Sequence, residues 1–118
     1  MLIIPKKLVE AYRHAVNIID EEVENMLKVI AAAKKIPIVI GGGHNNAYPI
    51  IKGVAKGLVK AGAIPLAQIN CVNLDAHTDY GATEGRHSGN GFKYAEEDAT
   101  WANIALLACM KIIFRKIF

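Results

Sequence analysis

The chain has 118 residues, 53% of them hydrophobic, with 14 Lys and Arg against 11 Asp and Glu and a formal charge of +3. That length admits one domain, which could bury roughly 65% of its unfolded surface, and the apolar fraction argues against disorder. The mild, scattered positive charge lacks the basic stripe of a nucleic-acid binder, and no run reaches the ~18 apolar residues of a membrane helix. Neither nucleic acid nor a membrane is therefore expected as a partner. Cys71 and Cys109 each lie in an apolar run and read as reduced, buried thiols of a cytoplasmic protein. Met1 is followed by three apolar residues and then Pro5-Lys6-Lys7, so no secretory leader is expected.

The first long element is a helix over residues 6–35. Leu8, Tyr12, Val16, Ile19, Val23, Met26, Leu27 and Ile30 fall at steps of three and four and make one apolar stripe. Arg13, Asp20, Glu21, Glu24 and Lys28 form the opposite face, expected in solvent. Pro37 breaks the pattern. Ile38-Val39-Ile40 reads as a central parallel strand covered on both faces, ended by three glycines. Asn45 or Asn46 is expected to cap a second helix running to about Ala61, with Gly62 as a left-handed stop. A second strand follows over residues 68–74. Residues 75–98 are polar and Gly-rich and read as a loop, while residues 99–118 turn apolar again. The order helix, strand, helix, strand predicts an α/β fold with a parallel sheet and a right-handed crossover.

The densest chemistry is in residues 73–79. Asp75, His77 and Asp79 alternate, and in an extended backbone alternate side chains project to one side. They would converge just past the carboxyl end of a strand, where open α/β sheets bind ligands. The plainer alternative is a charged loop whose Asp residues cap turns. His44 stands at the end of the neighbouring predicted strand and can face the same point. A mixed imidazole and carboxylate set suits Mn, Fe, Co, Ni or Zn better than Ca or Mg. Two carboxylates in one motif point to a two-metal centre, with ions ~3.5–4 Å apart. The Gly-rich turn before His44 could also cradle phosphate, but no Gly-Lys-Ser/Thr accompanies it. In residues 85–92, Arg86 offers a carboxylate-matching fork and Ser88 and Asn90 offer neutral hydrogen bonds. By composition the same stretch is also an ordinary surface turn.

Three strings, Ile40-Gly-Gly-Gly-His44, Leu74-Asp-Ala-His-Thr-Asp79 and Ser88-Gly-Asn90, resemble the ureohydrolase family of arginase, agmatinase and formimidoylglutamase. The resemblance covers residues 4–98 and implies a three-layer α/β/α fold around a parallel sheet, with a pair of Mn(II) ions. It makes His44 and Asp79 ligands of one ion, His77 a ligand of the other, and Asp75 the bridge. Asp75 and His77 thereby become the catalytic candidates. Ser88 and Asn90 fall on positions that meet the substrate's amino-acid end, with Arg86 and His87 beside them as further substrate-contact candidates. The implied reaction is hydrolysis of an amidine C–N bond in a small amidine or guanidino amino acid, by a metal-bridging hydroxide. Gly43 stands where arginase and agmatinase usually carry Asp, and Phe92 where arginase carries a proton-handling His. The string Gly85-Arg-His-Ser-Gly-Asn-Gly-Phe92 is most similar to the formimidoylglutamase-like branch. His87 is either a substrate or supporting group or a surface His.

The family's two remaining ligands come from a later Asp-x-Asp string, and no Asp follows Asp98 here. Residues 1–98 are therefore expected to be a partial domain. Residues 99–118 are expected to be an atypical tail, read out of frame from the parent gene, in which Trp101, Cys109 and Phe114 carry no function. Such a chain is expected to bind metal weakly and to have little activity alone. The alternative function is a catalytically inactive metal-binding fragment. Two strands apolar on both faces also predict self-association.

Overall fold

The computed structural model describes residues 5–98, 100–108 and 111–113. Helix α1 spans Lys6–Ala32 and α2 spans Ala47–Lys60, close to the sequence expectation. Gly62 sits at φ +70°, the left-handed stop predicted for it. Asn46 holds the N-cap position of α2, but its side chain makes no capping bond. The preceding 3₁₀ turn, His44–Asn46, already carries the ladder into the helix, with the Ala47 amide donating to the His44 carbonyl.

The buried face of α1 is rotated from the predicted stripe. Leu27 and Ala31 are buried, Val9, Val16 and Val23 half-buried, and Asp20 sits among them at 5% exposure. Tyr12, Ile19 and Met26 are instead exposed. The helix has two apolar sides, and only one meets α2. Asp20 turns inward, contrary to its expected solvent face, because Arg86 meets it there.

The two helices approach closely through Gly53 and Gly57. A Cβ on Gly57 would lie 2.6 Å from the Ala31 Cβ and 2.6 Å from the Lys28 carbonyl oxygen. On Gly53 it would lie 2.6 Å from the Glu24 carbonyl oxygen. Backbone atoms cannot move aside as a flexible side chain can. Gly57→Ala is therefore expected to destabilise the protein, because overpacking of about 1–3 kcal/mol outweighs a helix-propensity gain of at most ~1 kcal/mol. Thermal unfolding followed by circular dichroism checks this; a raised midpoint would refute the close-approach account.

Strand β1 spans Ile69–Leu74, within one residue of the prediction. It pairs in parallel with β2, Trp101–Ala108, which pairs antiparallel with β3, Lys111–Ile113. The sheet is thus mixed, in the order β1-β2-β3, and not wholly parallel as expected. Parts of the expected tail supply β2 and β3, with Trp101 opening β2, while Cys109 and Phe114 lie outside the described residues. The strand predicted at residues 38–40 is not in the sheet. Its apolar side chains face solvent, with Ile38 at 82% and Ile40 at 91% exposure. Strand propensity is context-dependent, and an apolar run becomes a strand only where a partner edge completes its ladder.

The loop predicted for residues 75–98 ends in a third helix, α3, Gly91–Glu97. Its glycine start hid it in the sequence. Ile51 from α2 and Phe92 and Ala95 from α3 form the core, with Ile69, Cys71 and Tyr80 packed against it. Burial along β1 alternates, so one face carries this core while Val72 and Leu74 on the other are exposed. The cover expected on both faces is present on one among the described residues. The architecture is α/β, and no described helix is long and apolar enough to cross a membrane.

Candidate metal centre

His44 owes its place to the glycines before it. Gly41 and Gly42 sit at φ +85° and +78°, a left-handed pair that glycine adopts without strain. The chain turns there and enters the 3₁₀ turn with His44 first. Phe92 packs its buried ring edge-on against the imidazole, with centroids 5.8 Å apart. His44 Nδ1 lies 3.3 Å from Asp75 Oδ2 and shares a hydrogen bond with Asp79 Oδ2.

The backbone of residues 75–79 is not extended, as the alternation argument assumed. It bends at residues 75–77, and Asp79 adopts φ +48°, a left-handed conformation that Asp tolerates better than most residues. His44, Asp75 and Asp79 each offer one donor atom, all within 4.8 Å of one another. His77 is turned outward, its side chain 83% exposed, yet its Nδ1 lies 3.4 Å from Asp75 Oδ1. Asp75 thus presents one oxygen to His44 and the other to His77. The His77 amide donates to Asp75 Oδ1 at 2.8 Å. That bond, with the His44 and His77 imidazoles nearby, holds the Asp75 carboxyl below its ordinary value. One imidazole nitrogen and two carboxylate oxygens form a set that fits a divalent transition metal.

Residues 84–90 run beside this centre. Arg86 is buried at 2% exposure and Asn90 at 0%. The Arg86 guanidinium donates through Nε to Asp20 Oδ2 at 2.7 Å, through Nη1 to Asn90 Oδ1 at 2.6 Å, and through Nη2 to the Asn45 carbonyl at 2.7 Å. Asn90 Nδ2 donates to the carbonyls of Ala82 and Gly85, both at 2.9 Å. Both residues were expected at a substrate surface, and the structure places both inside. Ser88 is exposed and His87 partly so. His87 Nδ1 accepts from the Gly89 amide at 3.1 Å, and its Nε2 lies 3.4 Å from Glu84 Oε1.

A sequence model of the arginase family matches residues 6–110. The chain belongs to the arginase family. Among curated relatives it is 42% identical over 62 residues to a formimidoylglutamase of Ralstonia nicotianae, covering 52% of this chain and 19% of that protein. It is 32% identical over 77 residues to a formimidoylglutamase of Corynebacterium efficiens, covering 65% of this chain and 22% of the relative. A Streptococcus pyogenes formimidoylglutamase is 41% identical over 66 residues, covering 53% and 18%. The chain therefore spans about a fifth of the length of these relatives. No solved structure matches it significantly.

The matched stretch contains every candidate site residue of this arginase-family chain, from His44 to Asn90. The sequence reads Asp20 as a solvent-face residue and Asn45 as a helix cap, and does not show that both meet Arg86. One signal could have found Asp20: it falls four residues after Val16 and three before Val23, at the spacing of a buried stripe.

Proposed function

We propose that the chain carries part of a metal-dependent hydrolase of the ureohydrolase type, acting on the amidine C–N bond of formimidoylglutamate-like substrates. The observation that carries this is the orientation of Asp75, one oxygen toward His44 and the other toward His77. A carboxylate set between two imidazoles has the arrangement of a bridge. His44, Asp75 and Asp79 would hold one Mn(II), and Asp75 with His77 would begin the second position. The chemistry a bound divalent cation supplies is Lewis acidity toward water and the amidine. Asp79, through the carboxylate oxygen not turned to His44, would orient the attacking water and take up its proton. Ser88, exposed, and His87, partly exposed, would meet the substrate's amino-acid end, while the buried Arg86 and Asn90 shape the loop behind them.

The names of the relatives and the place of Phe92 both favour formimidoylglutamate over arginine. A phenyl ring has no ionisable group, so Phe92, buried against His44, cannot handle a proton where arginase carries a His. A three-layer fold around the sheet belongs to the same proposal, as does a cytoplasmic setting. Association between copies is supported by the open apolar side chains of residues 36–40 and of β1.

The test is to assay the full product of the gene, loaded with Mn(II), on formimidoylglutamate and on arginine. Formamide and glutamate are the expected products, with urea release at least about 100-fold slower. Rapid urea release with formimidoylglutamate ignored would overturn the substrate ranking. Metal binding with neither activity would leave the inactive metal-binding reading standing.

A further inference from the structure

We propose that Arg86 is a positioning residue for the metal centre: its guanidinium ties the backbone beside His44 to α1 and to the loop of residues 84–90, and so sets where the His44 imidazole lies. This rests on the metal-centre reading above. The His44 backbone is held by its own turn, whose Ala47 amide donates to the His44 carbonyl at the start of α2. The two left-handed glycines precede it, and the 3₁₀ turn it opens is a single turn, with the Asn46 amide donating to the Gly43 carbonyl at 3.2 Å. The next residue, Asn45, has its carbonyl held by Arg86 Nη2 at 2.7 Å. The same planar group holds Asp20 on α1 and Asn90, and Nη1 also donates to the His87 carbonyl at 3.1 Å. The Tyr48 and Tyr94 rings lie within stacking reach, 4.9 and 5.2 Å from the guanidinium carbon.

Three separate stretches of chain, residues 20, 45 and 87–90, thus meet on one rigid fork. Only arginine presents in-plane donors at the angles this needs; lysine offers three donors on a point charge. At 2% exposure the guanidinium cannot also reach a substrate without releasing these partners. Its influence on the chemistry passes through Asn45 to His44.

A purely structural role and a positioning role separate in the double variant Asp20→Leu/Arg86→Met. Replacing both members of a buried ion pair with apolar side chains is often neutral for stability, whereas removing one member is not. The double variant keeps an apolar filling at both positions but loses the donors to the Asn45 and His87 carbonyls and to Asn90 Oδ1. Its thermal midpoint is expected to recover most of what Arg86→Met alone loses, and its Co(II) affinity, read from the visible absorption of the bound ion, to stay about 10-fold or more below the parent's, the scale of losing a ligand's supporting partner.

A second readout needs no metal. In ¹H–¹³C spectra of the metal-free protein, the His44 imidazole signals should shift or broaden in the double variant while those of His14 do not. Arg86→Lys, which keeps the charge beside Asp20, should show the same change in His44; it also serves if the double variant fails to fold. Parent-like His44 signals in whichever variant folds would overturn the proposal. A parent chain that binds no Co(II) through His44 would instead overturn the metal-centre reading, and the imidazole spectra would still decide the role of Arg86.

Discussion

Arg86→Met alone is expected to destabilise the protein by about 3–5 kcal/mol, the scale of breaking a buried ion pair from one side. Asp20 is 5% exposed, its Oδ2 receives the Arg86 Nε proton, and its Oδ1 has no hydrogen-bond partner among the described residues. Removing the guanidinium leaves a carboxylate in the interior without its hydrogen-bonded cation, with only the more distant charge of Lys52 to balance it. At roughly 4 °C or more per kcal/mol for a domain of this size, the midpoint should fall by more than about 10 °C. The loss should depend on pH. Burial already pushes the Asp20 carboxyl above its ordinary 3.8, against the pull of the Arg86 hydrogen bond and charge. Without Arg86 that pull vanishes and the folded-state value rises further. The folded variant then holds a proton that unfolded Asp20 releases, so the contribution of Asp20 to stability is fully present below its unfolded value and is lost as pH rises through the folded one. Thermal unfolding of parent and variant at acid and neutral pH measures both effects. A variant within about 1 kcal/mol of the parent at neutral pH would show that the pair does not carry the fold.

The second large effect concerns metal. His44→Ala is expected to weaken Mn(II) binding by about 100-fold or more, beyond the 10–100-fold range seen when only a ligand's supporting partner is lost. His44 supplies the sole nitrogen of the three-donor group, and the two remaining carboxylates alone form a poorer site. His77→Ala should cost less than about 10-fold. Its imidazole stands outside that group and touches only one oxygen of Asp75. Titration of Mn(II) followed by electron paramagnetic resonance reads both affinities. Equal losses would mean that His77 swings inward on binding, and that its outward pose is not the binding geometry.

That contrast marks what the sequence could and could not reveal. Residue type was enough to single out His44, Asp75 and Asp79, whose donor atoms lie within 4.8 Å of one another, because a ligand set is written in residue identities. The path of the backbone was not legible. The bend at residues 75–77 and the left-handed Asp79 replaced the straight alternation and turned His77 out. Arg86 shows a second limit. A fork that fits a substrate carboxylate fits Asp20 equally well, and the sequence does not say which carboxylate it meets. Helices α1 and α2 were visible from periodicity and from Gly62. The run at residues 38–40 misled because apolar content reports strand preference and not the presence of a partner edge. Helix α3 was hidden because its first turn is built from Gly91 and its neighbours in a glycine-rich stretch.

The burial of Asn90 also bears on how this protein ages. Asparagine followed by glycine is the pair most prone to spontaneous deamidation, since the unhindered glycine amide attacks the side-chain carbonyl and closes a succinimide. Asn90-Gly91 is such a pair. In the folded chain the Asn90 side chain is anchored at both ends: Oδ1 accepts from Arg86 and from the His87 amide, and Nδ2 is held by two carbonyls. It cannot swing toward the Gly91 nitrogen, and no solvent reaches it at 0% exposure. The peptide containing Asn90 should therefore keep its amide through long storage of the native protein and convert within the ordinary lifetime of an unstructured Asn-Gly once the chain unfolds. Peptide mapping by mass reads that conversion directly, which makes this one bond a chemical timer for how long the molecule has spent open.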